Sequence, residues 1–245
     1  MENRPIPNTD FTNLMSKGEL IAAAIYLPIH ALGLPLGLGW LAERMPALAA
    51  LDSTGLNLVY YGLGMAYVLI LLRRFLRRSF DAALDAKGRF LLGIIGGYAM
   101  DIGLSFVISA LLLVFGLELG MSPNNQAVMA EVTADHRRMA VMVVVMAPLV
   151  EEPLFRGLLF GCIRPRSRAA AYIVSALLFS LYHVWQYAVI YADPAMLLYI
   201  LLYLPVSIGL AWAYDRSGSI WAPMVMHGIV NAVSLSVLNS GLFTL

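Results

Sequence analysis

The sequence predicts an all-α fold, a polytopic transmembrane bundle of seven to eight membrane helices, and three observations carry that prediction. Hydrophobic residues make up 60% of the 245-residue chain and charged residues 13%, with a mean hydropathy of +0.78, a composition outside the soluble range. Seven apolar runs recur along the chain, each of about 20 residues and so able to cross ~30 Å of hydrocarbon. The basic residues collect in alternate connections between those runs, the signature of a chain that weaves through a bilayer.

The runs cover residues 20–41, 56–72, 90–116, 139–160, 170–191, 196–214 and 220–243. The first is interrupted by Pro28, Gly33 and Pro35, which membrane helices tolerate because neighbouring groups satisfy the freed backbone. An eighth helix would come from this broken run or from residues 117–138, expected to be the longest external loop or a short interfacial helix. Arg73, Arg74, Arg77, Arg78, Lys87 and Arg89 crowd the second connection, Arg164, Arg166 and Arg168 the fourth, and Arg216 the sixth. With seven alternating spans these share one side, the cytoplasm by the positive-inside rule, together with Arg4 and Lys17. Arg137 and Arg138 fall on the other side and are the weak point of that topology.

With 16 Lys+Arg against 15 Asp+Glu the net charge is +1, so no global field recruits nucleic acid, and the expected partner is the lipid bilayer. The single cysteine, Cys162, excludes an internal disulfide framework and a multi-cysteine metal site. The polar start of the chain lacks a basic stretch, apolar core and small-residue cleavage site, so a mature N-terminus is expected. The whole reads as one integral-membrane domain, residues 1–245, without internal repeats.

Ionisable groups inside an apolar run cost several kcal/mol each, which marks them as functional candidates. The fourth run holds Glu151, Glu152 and Arg156. Glu152 and Arg156, four apart, share a helix face in the order that favours an ion pair. Glu151 points elsewhere with no local partner, so it is the carboxylate expected to handle protons. Pro153 loosens the helix beside them. The competing reading makes the cluster a helix-end anchor with Arg156 snorkelling to the surface. His183 follows Phe179 by four in the fifth run, and His227 and Asn231 present an imidazole and an amide from one face of the seventh. Gly228 would admit a close backbone or a substrate chain. Counted from the basic loops, Glu151 and His227 fall on the cytoplasmic side of the midplane or close to it, and His183 near the middle. Asp101, Asn57 and His30 are expected to be buried polar residues capped by a neighbouring Ser or Tyr.

The ordered motifs E-E-x-x-x-R, F-x-x-x-H and H-x-x-x-N, standing here as Glu151-Glu152 with Arg156, Phe179 with His183, and His227 with Asn231, resemble those of the CPBP intramembrane protease family. That group contains the type II CAAX prenyl endopeptidases and bacterial bacteriocin-processing or self-immunity proteins. The resemblance spans about residues 139–235, which would be the catalytic core. It implies that Glu151 with His183 activates a water for attack on a peptide carbonyl, that His227 and Asn231 donate to the oxyanion, and that Glu152 and Arg156 support the site. The substrate would be a peptide or a membrane protein, and the location a bacterial inner membrane with the N-terminus cytoplasmic. A metal-independent mechanism is favoured and no cofactor is expected; zinc remains the alternative, held by Glu151, His183 and His227. Two other classes make different predictions. A proton-coupled transporter would carry a substrate without cleaving it, and a non-catalytic scaffold or immunity protein of the same fold would be indifferent to Glu151→Gln.

Overall fold

The computed structural model describes residues 11–239, and among them every regular element is helical. Arg4, and the last residues of the seventh run to Phe243, lie outside the described residues. Helix α1 spans Lys17–Ala42, α2 Ser53–Leu71, α3 Arg73–Asp85, α4 Lys87–Val114 and α5 Pro123–Ala134. Helix α6 is residues 136–163, α7 Arg168–Tyr182, α8 Trp185–Ile190, α9 Pro194–Ser217 and α10 Trp221–Asn239.

Each apolar run therefore becomes helix, but four helices are long and apolar enough to cross a membrane by length and composition: α1, α2, α4 and α9. Helix α6 rises about 40 Å at 1.5 Å per residue, and what sets it apart is the trio of charged side chains at its centre. The fifth run is not one helix. It ends at Tyr182 and resumes at Trp185, with His183 as the C-cap, and the His183 ring nitrogen Nδ1 bonds the Phe179 carbonyl at 2.9 Å. The last carbonyls of a helix have no partner within it, and the imidazole supplies one. The segment 117–138 is part helix, α5, capped by Ser122, whose hydroxyl accepts from the Asn125 amide at 3.2 Å.

Local chemistry sets the helix starts and their irregularities. Ser16 and Glu19 form a capping box at the head of α1, satisfying two orphan amides reciprocally. Pro28 lacks the donor that an unbroken α-helix needs, and the chain widens into a π turn over Ile29–Gly33 immediately after it. Helices α4 and α9 approach closely because glycines face each other: a Cβ on Gly97 would stand 2.7 Å from the Gly209 carbonyl oxygen, and one on Gly209 2.5 Å from that of Gly97. Small residues at such a crossing let membrane helices gain packing where no hydrophobic effect separates core from lipid.

The two ends of the bundle are tied differently. At the arginine-rich end, α3 lays Phe75, Leu76 and Ala83 inward. The Ser219 hydroxyl donates to the Ser79 carbonyl at 2.6 Å and the Trp221 indole to the Leu76 carbonyl at 2.9 Å. Phe11 packs edge-on to Phe160 and Tyr214 there, at 5.8 and 5.1 Å. At the opposite end, Glu131 of α5 accepts from Asn57 at 3.0 Å and Thr54 at 3.2 Å. Arg138, half of the Arg137-Arg138 pair that weakened the topology, is held by Asp52 at 2.9 Å and Asp135 at 2.6 Å. Outward faces carry Ile21, Ile25, Ile70, Ile95, Phe106 and Leu113, an apolar belt of the kind that lipid covers.

Candidate active site

Helix α6 is distorted where it carries its charges. Pro148 and Pro153 bring no backbone N–H, so the α-helical ladder is not continuous, and the helix is π-wound over Met142–Met146 and Pro153–Phe160. Such widened turns release carbonyls from the helix's own bonding and recur at functional sites. Two of them meet α10. The Val143 carbonyl accepts from Asn231 Nδ2 at 2.6 Å, and a Cβ on Gly228 would stand 2.8 Å from the Val144 carbonyl oxygen. The close neighbour that Gly228 admits is thus the backbone of α6.

Glu152 and Arg156 form the expected pair, Oε1 to Nη1 at 3.1 Å, with both side chains wholly buried. Arg156 Nη2 donates further to the Ser207 carbonyl at 3.0 Å and hydroxyl at 2.8 Å, and its guanidinium lies 4.2 Å from the Phe179 ring centroid. This geometry removes the surface-anchor reading, since Arg156 does not reach out of the bundle. Glu152 Oε1 also meets His227 Nδ1 at 2.8 Å. With a carboxylate on Nδ1 that nitrogen carries the proton, so the ring turns Nε2 away from Glu152.

Glu151 is 1% exposed. Its Oε1 accepts from the Tyr61 hydroxyl at 2.8 Å, while Oε2 has no hydrogen-bond partner among the described residues and lies 3.9 Å from His183 Nε2. Glu151 thus has no partner nearby in sequence, and the one it has comes from α2, 90 residues earlier, beyond the reach of any local spacing. His183 Nδ1 faces the Phe179 carbonyl and so holds the proton of the neutral ring, leaving Nε2 with a lone pair toward Glu151. A separation of 3.9 Å is too long for a direct hydrogen bond. Two acceptors at that spacing are suited to sharing a molecule that brings its own hydrogens, such as water.

Glu151, His183, His227 and Asn231 all line one cavity of about 920 Å³, whereas Glu152 and Arg156 do not. Tyr60, Tyr61 and Tyr182 also line it, as do Asp101 and Glu131. The cavity extends from Glu151 to α5, the later part of α1 at Pro35, Leu38 and Gly39, and the start of α2 at Ser53. Asp101 accepts from Ser105 at 3.4 Å, and His30 is enclosed by tyrosines. Among the described residues no three His, Cys, Asp or Glu side chains gather closely enough to hold a metal ion, so Glu151, His183 and His227 offer at most separated donors in this arrangement.

Residues 135–233 match the family described as type II CAAX prenyl endopeptidase Rce1-like. The match supports the CPBP/CAAX protease family for that segment. No curated protein and no solved structure matches the chain. The Rce1-like segment runs from the start of α6 into α10 and contains Glu151, Glu152, Arg156, His183, His227 and Asn231. Tyr61, which touches Glu151, lies outside it.

Proposed function

We propose that this protein is an intramembrane endopeptidase that hydrolyses a peptide bond in a membrane-associated peptide or protein. The observation that carries the reading is the opposition of Glu151 Oε2 and His183 Nε2 across 3.9 Å in a cavity lined by His227 and Asn231. In this reading a water donates one hydrogen to each of the two acceptors and its oxygen attacks the carbonyl carbon. One proton passes to Glu151, and the carbonyl oxygen becomes an oxyanion. Collapse returns a proton to the amide nitrogen as the C–N bond breaks, releasing an acid and an amine.

The oxyanion would lie against the free hydrogen of Asn231 Nδ2 and against His227 Nε2. Since Nδ1 of His227 is already committed to Glu152, donation from Nε2 requires the doubly protonated ring. Glu151, Glu152, Arg156 and His227 then sum to zero charge, and moving negative charge from Glu151 to the oxyanion leaves that sum unchanged. A buried site that stays neutral through the step avoids the cost of creating an isolated charge in low dielectric. Glutamate and histidine suffice for this chemistry without a metal. Zinc dependence is tested by assaying activity in a strong chelator.

The chain would cross the membrane seven times, α6, α7 with α8, and α10 joining the four long apolar helices, with the arginine-rich end in the cytoplasm. The test is comparative amino-terminal proteomics of membranes containing wild-type protein or Glu151→Gln. A cleavage product present with wild type and missing with the variant is expected. Identical products in both would overturn the catalytic reading and leave a scaffold of the same fold. Substrate flux without cleavage in liposomes would favour a transporter instead.

A further inference from the structure

The Rce1-like segment supplies the candidate catalytic groups but not the contact that orients the first of them. A carboxylate can turn about its last bond and present either oxygen to His183. Here Oε1 is tied to the Tyr61 hydroxyl at 2.8 Å, and Oε2 is thereby the oxygen left facing Nε2. Tyr61 belongs to α2, outside residues 135–233.

A second layer stands behind that contact. The Tyr60 hydroxyl meets His30 Nε2 at 2.9 Å, the His30 carbonyl at 3.0 Å and the Tyr182 hydroxyl at 2.9 Å. Tyr182 reaches the same imidazole nitrogen at 3.2 Å, and Tyr26 faces Nδ1 at 3.4 Å. The His30 ring is fully buried and stacks on Tyr60 with centroids 4.5 Å apart. A neutral imidazole has one N–H and one lone pair. Whichever ring nitrogen carries that N–H, hydroxyls from α2 and α7 meet one imidazole on α1. Three helices are thus joined by one polar cluster beside the Tyr61–Glu151 bond, and Tyr60 packs edge-on to Tyr61 at 4.8 Å.

We propose that Tyr61 is a positioning residue for Glu151, held in register by the His30–Tyr60–Tyr182 cluster, so that the amino-terminal helices complete the geometry of the Rce1-like segment. The proposal rests on the peptidase reading for its effect on rate but not for its effect on the carboxyl group. Preorganising a reacting group before the chemical step is what such a contact contributes.

The test uses full-length protein in lipid nanodiscs, with Tyr61→Phe removing only the hydroxyl. In infrared difference spectra the Glu151 band, identified as the one lost in Glu151→Gln, is expected to shift in frequency in Tyr61→Phe. On the peptide bond whose cleavage requires Glu151, kcat should fall ~10- to ~100-fold, the effect of losing one hydrogen bond to a charged acceptor, with KM within about twofold. Should Tyr61→Phe fold poorly, 3-fluorotyrosine at position 61 fills nearly the same space with a stronger donor; it is expected to move the Glu151 band from its wild-type frequency while keeping most of the activity, and an unmoved band would overturn the proposal. A Glu151 band unchanged in Tyr61→Phe would overturn the proposal while leaving the peptidase reading intact. Absence of any Glu151-dependent cleavage in wild type, with the band still shifting, would instead overturn the peptidase reading and uphold the contact.

Discussion

Arg156 is the side chain whose loss should cost the fold most per atom removed. It is wholly buried, and it bonds Glu152, the Ser207 carbonyl and the Ser207 hydroxyl while stacking on Phe179. Arg156→Met keeps an unbranched side chain but deletes the charge, leaving Glu152 buried against His227 alone. Breaking a buried pair by removing one partner costs ~3–5 kcal/mol, because the surviving charge has no water to return to. A chain of 150–250 residues loses ~2–4 °C of melting temperature per kcal/mol, so the drop should be ~6–20 °C. Far-UV circular dichroism of detergent-solubilised protein reads it directly. The double variant Glu152→Gln/Arg156→Met removes both charges and should recover more than half of the loss, giving a large coupling in the cycle. A single variant melting with the wild type, or a double variant no better than the single, would refute the claim that the pair is a buried brace.

Two further outcomes are expected. Asn231→Ala should lower turnover by ~100-fold or more, the usual effect of losing one oxyanion donor, measured on the Glu151-dependent product; a smaller loss of melting temperature should accompany it because the bond to the Val143 carbonyl also goes. At the end opposite the basic loops, hydrogen bonds from Arg138 hold the Asp52 carboxyl, and its own backbone amide with its guanidinium the Asp135 carboxyl, below their ordinary value of 3.8. Carboxyls depressed in this way stabilise the fold above the unfolded value and lose that contribution as pH falls through the folded one. Melting temperature should therefore decline below about pH 4 in wild type, and Arg138→Gln should flatten that part of the profile.

The sequence was most legible where polarity interrupts hydrophobicity. Glu151, His183, His227 and Asn231 each stand out against an apolar run, and all four line one cavity. What could not be read was the partnership of residues that lipid would tolerate equally well. A tyrosine in an apolar run looks like packing or an interfacial anchor, and only the fold puts Tyr61 beside Glu151. In a bilayer both faces of a helix are apolar, so the periodicity that separates core from surface in a soluble helix carries little contrast. That is why adjacency among α2, α6 and α10 had no signature. The bond from Asn231 to the Val143 carbonyl was hidden for another reason: it depends on the widened winding of α6. By contrast, α3 was readable and passed over, since Phe75, Leu76, Ser79 and Ala83 recur on one face between exposed Arg73, Arg74 and Arg77.

The doubled carboxylates are the hardest feature to justify on stability alone, and the charges around them explain why both are kept. Two adjacent glutamates buried in α6 raise each other's cost, and hydrophobic replacements of similar volume would serve packing as well. Glu152 is offset by Arg156 and accepts from His227 as well, two donors on a single oxygen. In the proposed mechanism that arrangement holds His227 in the orientation of an oxyanion donor. Glu151 is left with one oxygen held and one open. The division separates two kinds of variant. Substitutions of Arg156 should lower stability and turnover together, because the same charge holds the helix and aims His227. Substitution of the Tyr61 hydroxyl should lower turnover with little loss of stability, because it orients an oxygen without neutralising a charge. A molecule in which both substitutions behaved alike would have no such division, and Glu151 and Glu152 would be interchangeable parts of one structural cluster.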